Sequence, residues 1–154
     1  MSLLNRFKKQ GGFIQLLQLI ESTEPSKQKS LLHLVGQEDP GWAHLVRLKS
    51  LTADRILNWP NEVLSKILSH LSSPVIAVLY NNGSESQRTK ILLCLPQRIV
   101  REVQELATNI PSGTSEVTTA QLKLVQTSRD LNNSGQIDFL KFDPSLHVEH
   151  KLVA

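Results

Sequence analysis

The sequence has little of several residue types, and each shortage excludes a class of protein. Only one of its 154 residues is a cysteine, so no intramolecular disulfide can support the fold. Aromatic residues make up 5% of the chain and are not interleaved with the basic ones, as a stacking surface for nucleic acid requires. The longest apolar runs fall well short of the ~18 residues that a membrane span needs. We therefore expect neither a nucleic-acid partner nor direct membrane insertion.

Groups that could perform chemistry are also scarce. The single cysteine, Cys94, lies in the apolar run Ile91–Leu95, which is typical of a buried, inert thiol. His147 and His150 are three residues apart, but only Glu149 accompanies them, which is too few ligands for a zinc site. There is no phosphate-binding glycine loop and no recognisable Ser, His and Asp set. We predict a protein that is not an enzyme and needs neither a metal nor a cofactor.

The charge and the N-terminus indicate a cytoplasmic protein. Net charge is +3, from 17 basic and 14 acidic residues, and the only local basic cluster is Arg6, Lys8 and Lys9. The first residues lack the apolar core and cleavage site of a signal peptide. A mild, dispersed positive charge does not favour any particular partner, so the partner must be sought in the fold.

Prolines are the strongest signal that is present. Six of the seven prolines form two series, each with steps of 34 to 37 residues: Pro25, Pro60 and Pro96, and Pro40, Pro74 and Pro111. Proline suits the first turn of a helix, so the two series indicate paired helix starts. A period of about 34 to 47 residues is typical of stacked helix pairs. The sequence therefore predicts an all-α fold, an armadillo-like right-handed stack of helical hairpins, whose usual task is to hold other proteins.

Helix start and stop signals divide the chain. We expect a first short helix over Leu3–Gln10, a stop at Gly36, and a helix after Asp39 as N-cap and Pro40 as first residue. Apolar residues at helical spacing then predict a strong helix after Pro60. Ser84 and Gln87 have the spacing of a capping box, and residues 114 or 115 begin a last long helix that ends at residues 132–135.

A segment without a sustained stripe separates two predicted lobes. Residues 49–54 form this connection, between an N-terminal helical lobe at 1–48 and a C-terminal helical lobe at 55–137. Residues 138–154 alternate weakly and include Pro144, so we expect a mostly irregular tail that folds back on the helices.

One stretch is similar to a calcium-binding loop. From Asp130 to Asp138, oxygen-bearing side chains occupy loop positions one, three, five and nine, with Gly135 at position six. Position twelve should be a bidentate glutamate and is Lys141, a cation that would repel the metal. A helix stop made of Asn, Ser and Gly explains the same residues. A weak calcium module remains one alternative function.

With the helices in place, the order of landmarks resembles the C-terminal region of the flagellar motor switch protein FliG over residues 11–137. Six elements carry the resemblance in the family's order: the pair Gly11 and Gly12; Glu38, Asp39 and Pro40 followed by Ala43 and Arg47; Ile56 to Ser72, matched without a gap; Cys94 to Ile99; Ile110 to Gly113; and Gly135 to Ile137. The resemblance implies a rotor component whose N-terminal lobe stacks on a neighbouring subunit and whose second lobe meets the membrane stator.

The resemblance also implies site residues. Arg98 matches a basic position of the family's stator-facing helix, and Glu105 matches an acidic one if one residue is deleted; Arg101 and Glu102 complete the predicted partner-binding set. The family's hinge corresponds to Ser50, Leu51, Thr52 and Ala53, without its two aromatic residues. Other charges of the family are absent, because a lysine falls on Asn81, an acidic residue on Gln104 and an arginine on Gly113.

The leading hypothesis is a non-catalytic scaffold that contacts flagellar rotor or stator proteins and stacks on itself through the N-terminal lobe. It would be cytoplasmic and peripheral at the flagellar basal body. The alternative to this and to the calcium module is a regulatory helical-repeat module of another system, like the FliG-like cytosolic domain that precedes magnesium channels. Complementary exposed charges suit the leading hypothesis, since such charges steer encounters while each contributes only about 0 to 1 kcal/mol.

Overall fold

The computed structural model describes residues 3–148, and all regular secondary structure within that range is helical. This confirms the predicted all-α class, and the armadillo-like arrangement stays a prediction. The chain separates into two compact units, one made of residues up to Leu51 together with the segment from Phe139, and the other of Thr52–Asp138. The second unit is thus an insertion between two parts of the first.

The described residues of the first unit, 3–51 and 139–148, contain three α-helices, α1 (Gly12–Glu21), α2 (Pro25–Glu38) and α3 (Pro40–Lys49). Both prolines are the first residues of their helices, as predicted. The N-cap at Asp39 is confirmed, because its Oδ1 accepts the Trp42 N–H at 3.1 Å. Trp42 also packs edge-on against Phe13, with ring centroids 5.4 Å apart. The core of this unit is built from nine buried side chains: Leu4, Phe7, Phe13, Leu16, Leu17, Ile20, Val35, Ala43 and Val46.

Two expectations for the first unit are wrong. The predicted helix over Leu3–Gln10 is only a 3-10 turn, Leu4–Arg6. Gly36 does not stop α2, which continues to Glu38. The helical residues after Gly36 include Glu38, which anchors the N-terminal segment. Its carboxylate accepts hydrogen bonds from the backbone N–H groups of Leu3 and Leu4 at 2.5 and 2.9 Å.

Positions 11 and 12 are both glycine, and each has its own structural reason for being so. Gly11 has φ +74°, in the left-handed region that glycine adopts at little cost. A Cβ on Gly12 would lie 1.6 Å from the Phe7 carbonyl oxygen, so only glycine permits this close approach. Together they turn the chain from the N-terminal segment into α1.

The second unit contains six α-helices: α4 (Ala53–Leu57), α5 (Asn61–Leu68), α6 (Ser73–Asn82), α7 (Glu85–Leu93), α8 (Gln97–Ala107) and α9 (Thr114–Asn133). The strong stripe after Pro60 is confirmed, since Leu64, Ile67 and Leu68 are almost fully buried. Pro60 and Pro96 are N-caps rather than first residues of their helices. Pro111 does not begin a helix, because α9 begins at Thr114.

Helix caps in the second unit follow the sequence closely. The capping box is present, with Ser84 Oγ accepting the Gln87 N–H at 3.3 Å and Gln87 Oε1 accepting the Ser84 N–H at 2.9 Å. Thr52 caps α4 by accepting the Arg55 N–H. Asn82 ends α6 as predicted, but Gly83 is extended rather than left-handed.

The described part of the chain after the second unit is residues 139–148. It forms two 3-10 helices, Phe139–Lys141 and Pro144–Leu146, and belongs to the first unit. The sequence predicts a mostly irregular tail at residues 138–154 that folds back on the helices. Burial of Phe139 and Leu146 accounts for the order that the structure has instead.

Candidate partner-binding surface on helix α8

Helix α8 forms because apolar residues recur at helical spacing after Pro96. Ile99, Val100, Val103 and Leu106 lie on one side, Val103 is completely buried, and the helix packs against α6. The opposite side faces solvent. An amphipathic helix packed in this way presents a fixed set of polar side chains outward.

A chain of side-chain hydrogen bonds holds the end of α8 in place. Asn81 Nδ2 donates to the Ala107 carbonyl at 2.9 Å and to Ser112 Oγ at 3.3 Å. Arg88 in turn donates from Nε to the Tyr80 carbonyl at 3.1 Å and from Nη2 to the Asn81 carbonyl at 2.9 Å. Helices α6, α7 and α8 are thereby tied together at one point. The support that Asn81 gives to α8 was not predicted, because its partners Ala107 and Ser112 are distant in sequence.

The four predicted partner-binding residues share one exposed face of α8. Arg98, Arg101, Glu102 and Glu105 are all exposed, and their spacing of i, i+3, i+4 and i+7 places them along a single stripe. We call this set the α8 stripe. Within residues 3–148, the structure records no ion pair for any of the four side chains.

The charges of the α8 stripe run against the preferences of the helix that carries them. Arg98 lies in the first turn, where the helix dipole favours an anion, and Glu105 lies in the last, where it favours a cation. The pairs Arg98 with Glu102 and Arg101 with Glu105 are spaced i, i+4, but with the cation first, which is the weaker order. Helix stability therefore does not explain the placement of these charges.

An open cavity lies beside the C-terminal half of the stripe. Its volume is about 440 Å³, and its lining comes from α8 and the turn that follows: Arg101, Gln104, Glu105, Thr108 and Asn109. One cation, one anion and three neutral polar groups face the same depression. This chemistry suits a charged or hydrogen-bonding side chain of a partner.

The predicted hinge contains the boundary between the two units, which falls between Leu51 and Thr52. The backbone is anchored on each side of that boundary. Leu51 is buried, and its N–H donates to Glu21 Oε2 at 2.6 Å, while Thr52 caps α4. The assignment of Ser50 to Ala53 as a hinge stays a proposal.

The interpretation of residues 130–138 as a calcium loop is wrong, because the stretch begins inside a helix. Asp130 and Asn132 belong to α9, and Asp130 Oδ1 accepts a hydrogen bond from Gln126 Nε2 at 2.8 Å. Gly135 has φ +80°, and the N–H of Gln136 donates to the carbonyl of the residue five positions before it at 2.9 Å. This is the geometry of a glycine helix stop.

Other potential ligands do not gather either. In the part of the chain that the structure describes, no group of three His, Cys, Asp or Glu side chains is placed to hold a metal ion. His147 is exposed, whereas Glu149 and His150 lie outside the described residues.

Taken together, the fold and the α8 stripe define a domain that is all-helical in its described part, residues 3–148, and presents a charged surface. The model of the FliG C-terminal domain family matches residues 34–139, more than half of the chain. The chain therefore belongs to the FliG C-terminal domain family, which associates it with the flagellar motor switch and bacterial motility. No curated protein matches it by sequence.

Two solved structures have a similar fold. Full-length FliG from Aquifex aeolicus matches with a TM-score of 0.51 at 21% identity, over 82% of this chain and 40% of that one. A structure of residues 86–343 of FliG from H. pylori matches with a TM-score of 0.64 at 18% identity, over 88% of this chain and 65% of that one. The chain thus spans less than two thirds of either. Among residues 3–148, no helix combines the length and apolar character needed to cross a bilayer.

Proposed function

We propose that this protein is a non-catalytic, cytoplasmic interaction module of a bacterial flagellar motor, peripheral at the basal body, and that the α8 stripe binds a rotor or stator protein. Family membership supports the motor context. The observation that carries the choice of surface is the α8 stripe itself: four exposed charges with no ion pair recorded within residues 3–148, of which Arg98 and Glu105 are placed against the helix dipole. Such charges fit a role outside the helix, because their order along the helix gives it little stability.

The stripe also indicates the chemistry of its partner. The N-terminal part is basic, at Arg98 and Arg101, and the C-terminal part is acidic, at Glu102 and Glu105. A complementary partner presents acidic residues opposite the first part and basic residues opposite the second. Exposed charges of this kind speed association and fix register, and their effect weakens with salt.

Charge reversal tests the proposal. We expect the wild-type chain to capture a flagellar rotor or stator protein from cells that assemble flagella, and Arg98→Glu with Arg101→Glu to reduce capture at least about tenfold, or ~1.4 kcal/mol. The matched control is Lys123→Glu, which reverses an exposed cation on α9 and should leave capture unchanged.

Two further results would decide the case. All three proteins should keep the same melting temperature and weaken in capture as salt rises. If the double variant captured the partner as well as the wild type did, the α8 stripe would not be the binding surface. If the wild type captured no rotor, stator or other switch-complex protein, the motor assignment itself would fail.

Two finer parts of the proposal concern the rest of the chain. Residues Ser50 to Ala53 act as the hinge, which is supported by the boundary between units at Leu51 and Thr52. The first unit stacks on a second copy of the chain, which is supported by its unburied helix α2. Of the 14 residues of α2, only Val35 is buried, whereas Leu34 is 46% exposed.

A further inference from the structure

A second cavity of the second unit adjoins the turn that follows α8, and its walls are mainly apolar. Its volume is about 260 Å³. We call it the apolar cavity, and its apolar lining comes from α6, from the residues after α8 and from α9: Pro74, Val75, Val78, Ile110, Pro111 and Ala120. We propose that the apolar cavity receives an apolar side chain of the partner that the α8 stripe binds, and that basic residues flank this side chain. The proposal deepens the proposed function and rests on it, because it adds a second contact for the same partner.

The walls of the apolar cavity are held in place by packing and by a backbone hydrogen bond. Two of its lining residues, Val78 and Ala120, are buried, and the helices that carry them, α6 and α9, pack against each other. The turn after α8 is fixed because the Ile110 N–H donates to the Leu106 carbonyl at 2.8 Å. A cavity formed in advance accepts an apolar group without the cost of ordering its own walls.

An apolar anchor supplies what the charges of the α8 stripe lack. Interfaces take most of their binding energy from a few side chains that fill pockets, whereas exposed ion pairs contribute little. The α8 stripe by itself therefore explains the speed and register of an encounter better than its strength. The apolar cavity has room for such an anchor, since an apolar cavity of about 150 Å³ already accepts benzene.

The apolar cavity is continuous along the chain with the acidic end of the α8 stripe. Asn109 lines the open cavity beside Glu105, and the next residue, Ile110, lines the apolar cavity. Neighbouring Cα atoms are only about 3.8 Å apart. A single segment of a partner can therefore contact the stripe and fill the apolar cavity at the same time.

Glu116 indicates the charge of the residues that flank the anchor. Among the described residues that line the apolar cavity, it is the only charged one. It is exposed, and within residues 3–148 neither a hydrogen bond nor an ion pair is recorded for its side chain. A Cβ on Gly113 would lie 2.9 Å from Glu116 Oε2, so a side chain at position 113 would crowd this carboxylate. Glu105 and Glu116 together favour a partner with basic residues around its apolar side chain.

Three synthetic peptides test the occupant by NMR titration of the full chain. The first has a leucine flanked by lysines, the second has serine in place of the leucine, and the third has glutamates in place of the lysines. We expect the first peptide to bind at least about tenfold more tightly than either of the others. Its binding should shift the amide signals of Val75, Val78 and Ile110.

Two variants test the site itself. Val75→Phe fills the apolar cavity and should weaken both the first peptide and capture of the motor protein at least about tenfold. The matched control is Val63→Phe, because Val63 is also half-buried and also the third residue of its helix but does not line the cavity. It should bind as the wild type does. Glu116→Gln changes an exposed residue without disturbing the fold and should weaken the first peptide severalfold, with a smaller dependence on salt.

Several results would overturn the proposal. These are failure of the first peptide to bind, equal binding of the leucine and serine peptides, and unchanged binding in Val75→Phe or Glu116→Gln. If the wild type instead self-associated and Val75→Phe abolished this, the occupant would be a second copy and the proposal would be wrong. The peptide measurements do not depend on capture from cells, so loss of the motor assignment and loss of this site can be told apart.

Discussion

Glu21 holds the last residue of the first unit before the chain enters the second. It ends α1, its side chain is 5% exposed, and Oε2 accepts the Leu51 N–H at 2.6 Å. Leu51 is itself only 2% exposed, so water does not easily replace the carboxylate. Replacing Glu21 with alanine therefore leaves a buried backbone donor without an acceptor.

The magnitude follows from the type of hydrogen bond. A bond to a charged group contributes about 1.5–3 kcal/mol, and an unsatisfied buried donor costs a similar amount. At ~1.4 kcal/mol for each factor of ten, we expect Glu21→Ala to speed exchange of the Leu51 amide by about ten- to hundredfold, under conditions where the exchange rate follows the local opening equilibrium. The melting temperature of a chain of this size should fall by ~2–4 °C for each kcal/mol, about 4–8 °C for a loss of 2 kcal/mol.

Amide exchange followed by NMR is the assay, with differential scanning calorimetry beside it. Glu21→Gln keeps an acceptor oxygen without the charge and should give an intermediate effect. Glu24→Ala removes an exposed carboxylate three residues away and should change neither quantity. Wild-type exchange at Leu51 in Glu21→Ala would refute the reasoning, because the buried N–H would then have another acceptor.

Three substitutions test the packing inside each of the two units, and thermal unfolding measures their effect on stability. Gly12→Ala should destabilise severely, because its Cβ would overlap the Phe7 carbonyl oxygen at 1.6 Å. Gly36→Ala should stabilise by about 0.5–1 kcal/mol, since the residue is inside α2 and its Cβ would meet only the Ala43 Cβ at 3.6 Å; a lower melting temperature would contradict this. Ile67→Asp should cost several kcal/mol because Ile67 is fully buried, and a wild-type melting temperature would show that its carboxylate reaches water.

Local signals predicted much of the fold, because they act between near neighbours in the chain. Asp39 and the pair Ser84 and Gln87 cap the helices that they were expected to cap. Gly36 was misjudged because a glycine that ends a helix and one that lies inside it look the same in sequence. Here Gly36 lies inside the helix, and the helix continues to Glu38, whose side chain accepts hydrogen bonds from backbone groups more than thirty residues away.

The charged residues of the candidate site could be predicted from the sequence, but the hydrogen bonds that hold helix α8 in place could not. The spacing of Arg98, Arg101, Glu102 and Glu105 fixes one face of any helix, and the structure exposes that face. The hydrogen bond from the Asn81 amide to the Ala107 carbonyl depends on how α6 packs against α8, and the sequence has no local signal for that packing. Long-range polar contacts of this kind were therefore missed.

The role of Asn81 bears on how this chain could meet a partner. The resemblance places a lysine of the family at this position, where a cation would add to the charges of the neighbouring helix. Here the Asn81 side chain is half-buried, and its amide donates a hydrogen bond to the carbonyl of Ala107, the last residue of α8. The residue thus stabilises the helix instead of extending the charged surface beyond it. Because Asn81 adds no charge beside the proposed α8 stripe, reversal of Arg98 and Arg101 should remove a larger share of the charge-dependent binding than it would if a lysine stood at position 81.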